Sequence, residues 1–172
     1  IVTEATAIGP GGVGWLGAPG IWSDAQVAGW RPVTSAVHAH GGKIFLQLWH
    51  MGRVSHPDFL GGALPVGPSA IAAKGETHTA SGKQPYVTPR ALELGEIPRI
   101  VQEYAAATAR ARAAGFDGVE LHARGLHVLR GGLLERQLRV EREVGGLHLE
   151  HERLERAVVG QVRGGQRAAR LV

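Results

Sequence analysis

Three runs in this sequence end on residues that can hydrogen-bond or titrate: Glu4-Ala5-Thr6, Gln47-Leu48-Trp49-His50 and Glu120-Leu121-His122. Each run is apolar or β-branched enough to read as a buried strand. Where parallel strands lie side by side, sites form at the edge that gathers their C-terminal ends. A Gln or His buried there is costly unless it bonds something. One reading is that each polar group meets a backbone group or a water. The other is that the groups converge on a ligand, and the coincidence of all three at one edge counts towards it. Spacing alone leaves both open.

Other chemistries find less support. There are nine histidines, but no pair has the i, i+4 helical spacing with a carboxylate that a zinc hydrolase needs, so no metal site is expected. With no cysteine, disulfides, thiolate metal sites and cysteine nucleophiles are excluded. The glycine clusters at 9–14 and 61–67 do not follow a strand in the dinucleotide-binding pattern. Ser55, Ser69 and Ser81 stand in no nucleophile-elbow context.

The elements that would position the strand ends can be read in order. Ile1–Ile8 is the first expected strand, closed by Gly9-Pro10-Gly11-Gly12. Ser23 with Gln26 is a capping-box signature, and Val27, Trp30, Thr34 and Val37 mark one face of the helix it opens. Pro32 should kink or interrupt that helix, because it removes a hydrogen bond. Ile44–Trp49 is a second strand. Ile97, Ile100, Val101, Tyr104, Thr108 and Ala111 repeat at helical spacing, Pro98 suits a first turn, and Gly115 is the stop. Gly118–His122 is a third strand. Strand, helix, strand, helix, strand implies parallel pairing. The segment 51–95 has no sustained periodicity, and a connection that long is expected to be functional or to carry a hairpin.

A length of 172 residues is a soft prior for one domain, and 44% hydrophobic with 20% charged residues is ordinary for a globular chain. No run approaches a membrane span and no leader opens the chain, so a soluble cytoplasmic protein without a membrane partner is expected. The chain starts on Ile1 rather than Met, which suggests that this is not a native start. Residues 1–123 hold nine Lys or Arg against nine Asp or Glu, so the net charge of +4 comes from 124–172, with ten Arg against six Glu. That tail has no Lys, Asp, Phe, Trp or Tyr. Its interleaved Glu and Arg, without aromatics for base stacking, suit a solvated helix face better than nucleic-acid binding. Leu147, Leu154, Val158 and Val162 would form the stripe of such a helix. The organisation expected is a domain over 1–123 and a distinct Arg/Glu-rich tail over 124–172.

Several stretches in order resemble the Old Yellow Enzyme family of flavin reductases: Val2-Thr3-Glu4-Ala5-Thr6, Gly17-Ala18-Pro19-Gly20-Ile21-Trp22-Ser23, Gln47-Leu48-Trp49-His50-Met51-Gly52-Arg53, Pro89-Arg90-Ala91-Leu92 and Ala114–His122. The bacterial N-ethylmaleimide and pentaerythritol-tetranitrate reductases are the branch they resemble most. The resemblance covers 1–123 and implies an α/β fold, part of a (β/α)8 TIM barrel, with about three strands and two helices recognisable. It implies non-covalent FMN, NADPH or NADH as hydride donor, and enones, maleimides or nitro compounds as acceptors. By the same resemblance Ala5 offers backbone hydrogen bonds to the flavin ring and Gln47 holds its pyrimidine edge. His122 is the first of two donors to the substrate's electron-withdrawing oxygen, and Trp49 and Trp15 line the substrate pocket, Trp15 in place of the usual Tyr.

The resemblance stops abruptly. The family continues roughly His-x-Ala-His/Asn-Gly-Tyr, supplying a second donor and a proton-donating Tyr, whereas this chain reads His122-Ala123-Arg124-Gly125-Leu126. The strands bearing the family's flavin-tuning Thr and phosphate-gripping Arg have no counterpart, and a barrel of this kind needs about 250 residues. Three strands of eight leave two open edges, from which aggregation is expected. The abrupt change at 123–126 suggests a departure from the ancestral reading frame, which makes an inactive remnant the alternative to an active reductase.

Overall fold

The computed structural model describes residues 1–122. The elements are β1 (Thr6–Ala7), α1 (Asp24–Ala39), β2 (Phe45–Trp49), β3 (Val66–Gly67), β4 (Glu76–Thr79), β5 (Gly82–Pro85), β6 (Arg90–Ala91), α2 (Ile97–Ala113) and β7 (Gly118–His122). The central sheet has the order β1-β2-β7, parallel throughout. Among the described residues no helix is long and apolar enough to cross a membrane.

Strand β1 is much shorter than the expected Ile1–Ile8 run, and the register explains why. Val2 bridges Phe45, but Thr6 pairs with Leu48, so four steps along the first chain match three along the second. The extra residue is a bulge. Within it the Thr3 hydroxyl accepts the Gln47 amide N–H at 3.1 Å and donates to the Glu4 carbonyl at 2.9 Å, replacing a ladder bond. Ile1 and Val2, although their backbone meets Phe45, carry exposed side chains.

Helix α1 starts as its sequence dictates. The Ser23 hydroxyl accepts the Gln26 N–H at 3.3 Å, and the Gln26 side chain accepts the Ser23 and Trp22 N–H groups at 3.0 and 2.7 Å. Pro32 does not interrupt this helix, which runs unbroken through it. Pro32 and Ala28 are both exposed, so water can satisfy the carbonyl that loses its partner.

Helix α2 opens after a short 3-10 turn, Leu94–Glu96, held by a two-pronged ion pair from Arg90 to Glu96 at 2.6 and 2.7 Å. That guanidinium, helped by the Glu93 N–H, pulls the Glu96 carboxyl down to about 2. The helix ends at Gly115, whose φ of +92° favours glycine. A Cβ there would also stand 2.8 Å from the Thr34 hydroxyl, which donates to the Ala114 carbonyl at 2.7 Å. Both helices lie on one face of the sheet. Val27 of α1, Ala107 and Ala111 of α2, and Ala114 and Phe116 enclose Ile8, Ile44, Leu46 and Leu48, with Trp30 edge-on to Phe116.

The segment 51–95 does carry a hairpin, β4 against β5, and a separate parallel pair, β3 with β6. Asp58, in the loop before the hairpin, has its carboxyl held below the ordinary value, chiefly by the Thr79 hydroxyl and also by Ser81 and His56. The expected domain boundary at 123 and the helical stripe Leu147, Leu154, Val158 and Val162 lie outside the described residues.

Candidate functional site

The register of β2 with β7 is set where the two strands begin. Asp117 accepts the Ile44 N–H at 2.9 Å, the Lys43 ammonium at 2.9 Å and the His38 imidazole at 2.8 Å, and returns its own N–H to the Ile44 carbonyl. These partners, the Ile44 N–H first, hold its carboxyl well below the ordinary range. With the starts pinned, Phe45 pairs with Gly118, Gln47 with Glu120 and Trp49 with His122.

Side chains alternate along a strand, so Leu46 and Leu48 enter the helix-covered core while Gln47 and Trp49 take the other face. Ala7 pairs with Trp49. Ala5 immediately precedes Thr6, and Gln47 immediately precedes Leu48, the partner of Thr6. The face away from the helices thus presents two rows, Ala5–Gln47–Glu120 and Ala7–Trp49–His122. In the first, the Gln47 amide donates through Nε2 to the Glu120 carboxylate at 3.0 Å. In the second, the Trp49 and His122 rings lie 4.7 Å apart. Trp15 reaches the second row from the loop after β1, edge-on to Trp49 at 5.2 Å.

That loop is fastened where it must be to deliver Trp15. The Met51 N–H bonds the Gly12 carbonyl at 3.1 Å, and the Ser55 hydroxyl donates to the Val13 carbonyl. Met51 lies so close over Gly14 that a Cβ there would meet its Cγ at 2.4 Å.

Ala5 is buried, and among the described residues no hydrogen bond reaches its amide or carbonyl. Ala7, two residues on, directs its amide and carbonyl to Pro19 and Ile21 rather than to β2. Backbone groups alternate too, so those of Ala5 also face away from β2. A buried pair of backbone groups left open at a strand end suits a ligand edge that offers both a donor and an acceptor.

The structure thus brings Ala5, Gln47, Trp15, Trp49 and His122 together on one face. It does not bring His50 there. His50 follows the parity of Leu46 and Leu48, is buried, and accepts the Gly52 N–H through Nδ1 at 3.0 Å. Burial first, and the Arg99 charge second, push its pKa down to about 4, so it is a neutral structural histidine. Glu4 is exposed at the bulge and Thr6 is buried on the helix-covered side, so neither joins the rows. Thr3 and Glu120 both contact Gln47, and the sequence alone assigns neither of them a role. For Glu120 the signal was present: Gln-x-Trp and Glu-x-His share a spacing, and parallel pairing sets Gln opposite Glu when it sets Trp opposite His.

The sequence model of the NADH:flavin oxidoreductase / NADH oxidase family matches residues 1–130. The chain belongs to that family. Among curated relatives, the flavin oxidoreductase hxnT of Emericella nidulans is 47% identical over 122 residues, 71% of this chain and 31% of that protein. The 12-oxophytodienoate reductase 7 of Oryza sativa subsp. japonica is 40% identical over 126 residues, 71% of this chain and 32% of that protein. Among solved structures, the Old Yellow Enzyme homologue of Zymomonas mobilis superposes with a TM-score of 0.70 at 55% identity, covering 72% of this chain and 34% of that one. Morphinone reductase in complex with tetrahydroNAD gives 0.68 at 52% identity, covering 72% and 36%. The described α/β segment, with its parallel strands, is therefore the N-terminal part of an Old Yellow Enzyme-type barrel. The chain spans about a third of the length of the relatives it matches.

Proposed function

We propose that this chain supplies the flavin- and substrate-facing side of an FMN-dependent ene-reductase that uses NADPH or NADH. The observation that carries this reading is the two-row face, where Ala5, Gln47, Trp49 and His122 converge although they come from three strands. The residues fit the cofactor: Ala5 offers open buried backbone groups, and the Gln47 amide has a donor and an acceptor to spare beyond its bond to Glu120. In this reading Ala5 and Gln47 hold the ring's polar edge, Trp15 and Trp49 wall the substrate space and exclude water, and His122 donates to the acceptor's electron-withdrawing oxygen. A donor there stabilises charge that grows on that oxygen in the transition state. The redox chemistry itself, hydride taken from the nicotinamide and passed to an activated alkene or nitro compound, is the cofactor's when bound.

The experiment is a fluorescence titration of FMN with the wild-type chain and Gln47→Ala. Losing an amide paired to the ring weakens binding by about 1–3 kcal/mol. Equal affinities refute the role of Gln47.

The second reading, an inactive remnant, is favoured by one observation. After His122 the sequence Ala123-Arg124-Gly125-Leu126 carries neither the His or Asn nor the Tyr of the family's pattern. Flavin absorbance retained through purification, with turnover of an enone by NADPH, argues for the first reading. A colourless chain without turnover argues for the second. An ancestral frame lost near codon 123 accounts for the tail in either case, and sequencing the gene tests it.

A further inference from the structure

Gln47 is an amide, and an amide can be presented either way round. One end accepts through Oε1 and the other donates through Nε2. Nothing in Gln47 itself decides which end meets a ligand. Its neighbour in the row does. Glu120 is its register partner on β7, and the two side chains meet at 3.0 Å through Nε2 and a carboxylate oxygen. An ionised carboxylate only accepts, so only the nitrogen end of the amide can face it. One N–H is thereby consumed, and Oε1 with the second N–H remains. Among the described residues Gln47 Oε1 takes no hydrogen bond.

We infer that Glu120 is a positioning residue: it fixes the polarity of the Gln47 amide, so that the site presents a carbonyl acceptor to a ring N–H flanked by a carbonyl. This rests on the proposed function, which supplies an imide-type ring edge as the ligand. It goes further in stating which atom of Gln47 meets the ring N–H, and which residue makes that so. The Thr3 hydroxyl holds the Gln47 backbone from the other side at 3.1 Å, so the pivot stays fixed while Glu120 sets the amide's sense.

The test compares FMN with its N3-methyl analogue, which lacks the ring N–H, by titration against the wild-type chain and Glu120→Gln. Glu120 is exposed and the substitution is isosteric, so folding is preserved. A neutral amide can both accept and donate, and no longer dictates which way Gln47 lies. The wild-type chain is expected to prefer FMN, and Glu120→Gln is expected to shrink that preference on the order of 5-fold, the scale of one net hydrogen bond. The side-chain amide signals of Gln47, identified by their loss in Gln47→Ala, are expected to shift in Glu120→Gln without any ligand. A residue acting only on stability would weaken both flavins equally and leave their ratio unchanged, which overturns the inference while sparing the proposed function. Failure of the wild-type chain to bind FMN overturns both.

Discussion

The two faces of β2 carry different duties on alternate residues of one five-residue strand. Leu46 and Leu48 are fully buried against the helices, whereas Gln47 and Trp49 are half-buried and turn to the other side, among Ala5, Glu120 and His122. The helix-covered face is filled by aliphatic side chains whose value lies in area removed from water, roughly 25 cal/mol per Å². The other face holds polar and aromatic groups whose value lies in what they can hold. Parity along the strand separates stability from site chemistry, so substitutions one residue apart should have effects of different kinds.

The largest expected break is Leu48→Ala. Leu48 has no exposed surface and lies in the middle of the core cluster, so its truncation leaves a cavity that neighbours fill only partly. The loss should be about 2–5 kcal/mol of unfolding free energy by urea denaturation, a range set by how far the site collapses. A loss below about 1 kcal/mol would mean that this face is not the structural one.

On the opposite face, His122→Ala should cost no more than about 1.5 kcal/mol of unfolding free energy, the scale of its ring pair with Trp49. In flavin-loaded protein it should lower whatever enone turnover the chain has by about 10²-fold, the scale of removing one donor to a developing oxyanion. A stability loss comparable to that of Leu48→Ala, with turnover unchanged, would invert the comparison between the faces.

Much of this arrangement was legible because it is local. The Ser23–Gln26 capping box and the stop at Gly115 each depend on a few neighbouring residues, and the last strand starts at Gly118, as expected. What could not be read depends on register. The Ile1–Ile8 run looks like one strand, yet it is broken by a bulge in which the Thr3 hydroxyl bonds a residue 44 positions away. In β4 the buried residues are Thr77 and Thr79 alternating with exposed Glu76 and His78, an alternation invisible to a search for apolar residues. The same holds in the site. Gln47 and His122 were found as strand-end polar residues, but only the pairing of strands separates His50, on the structural parity, from Trp49 beside it. Only pairing joins Gln47 to Glu120.

The smallest effect concerns the group that aligns the two faces, Asp117. It is not in either row, yet its bonds to Ile44, Lys43 and His38 fix the start of β2 against β7, and hence Gln47 against Glu120 and Trp49 against His122. Its folded pKa lies below the unfolded value of about 3.9, so the folded state binds its proton less readily than the unfolded state. Its contribution to stability is therefore fully present above about pH 5 and is lost as pH falls through 4 and below. Asp117→Asn keeps an oxygen for the Ile44 N–H but removes the charge that pairs with Lys43. The gap between wild type and Asp117→Asn in urea midpoint should narrow as pH falls from about 5 towards about 3. Asp58 and Glu96 also have lowered pKa values, but both remain in the variant, so the difference between the two proteins reports Asp117 together with its partners His38 and Lys43. A gap that stays constant down to about pH 3 would show that the carboxylate's charge does not hold the strand starts together, and that the Ile44 N–H bond alone sets the register beneath the site.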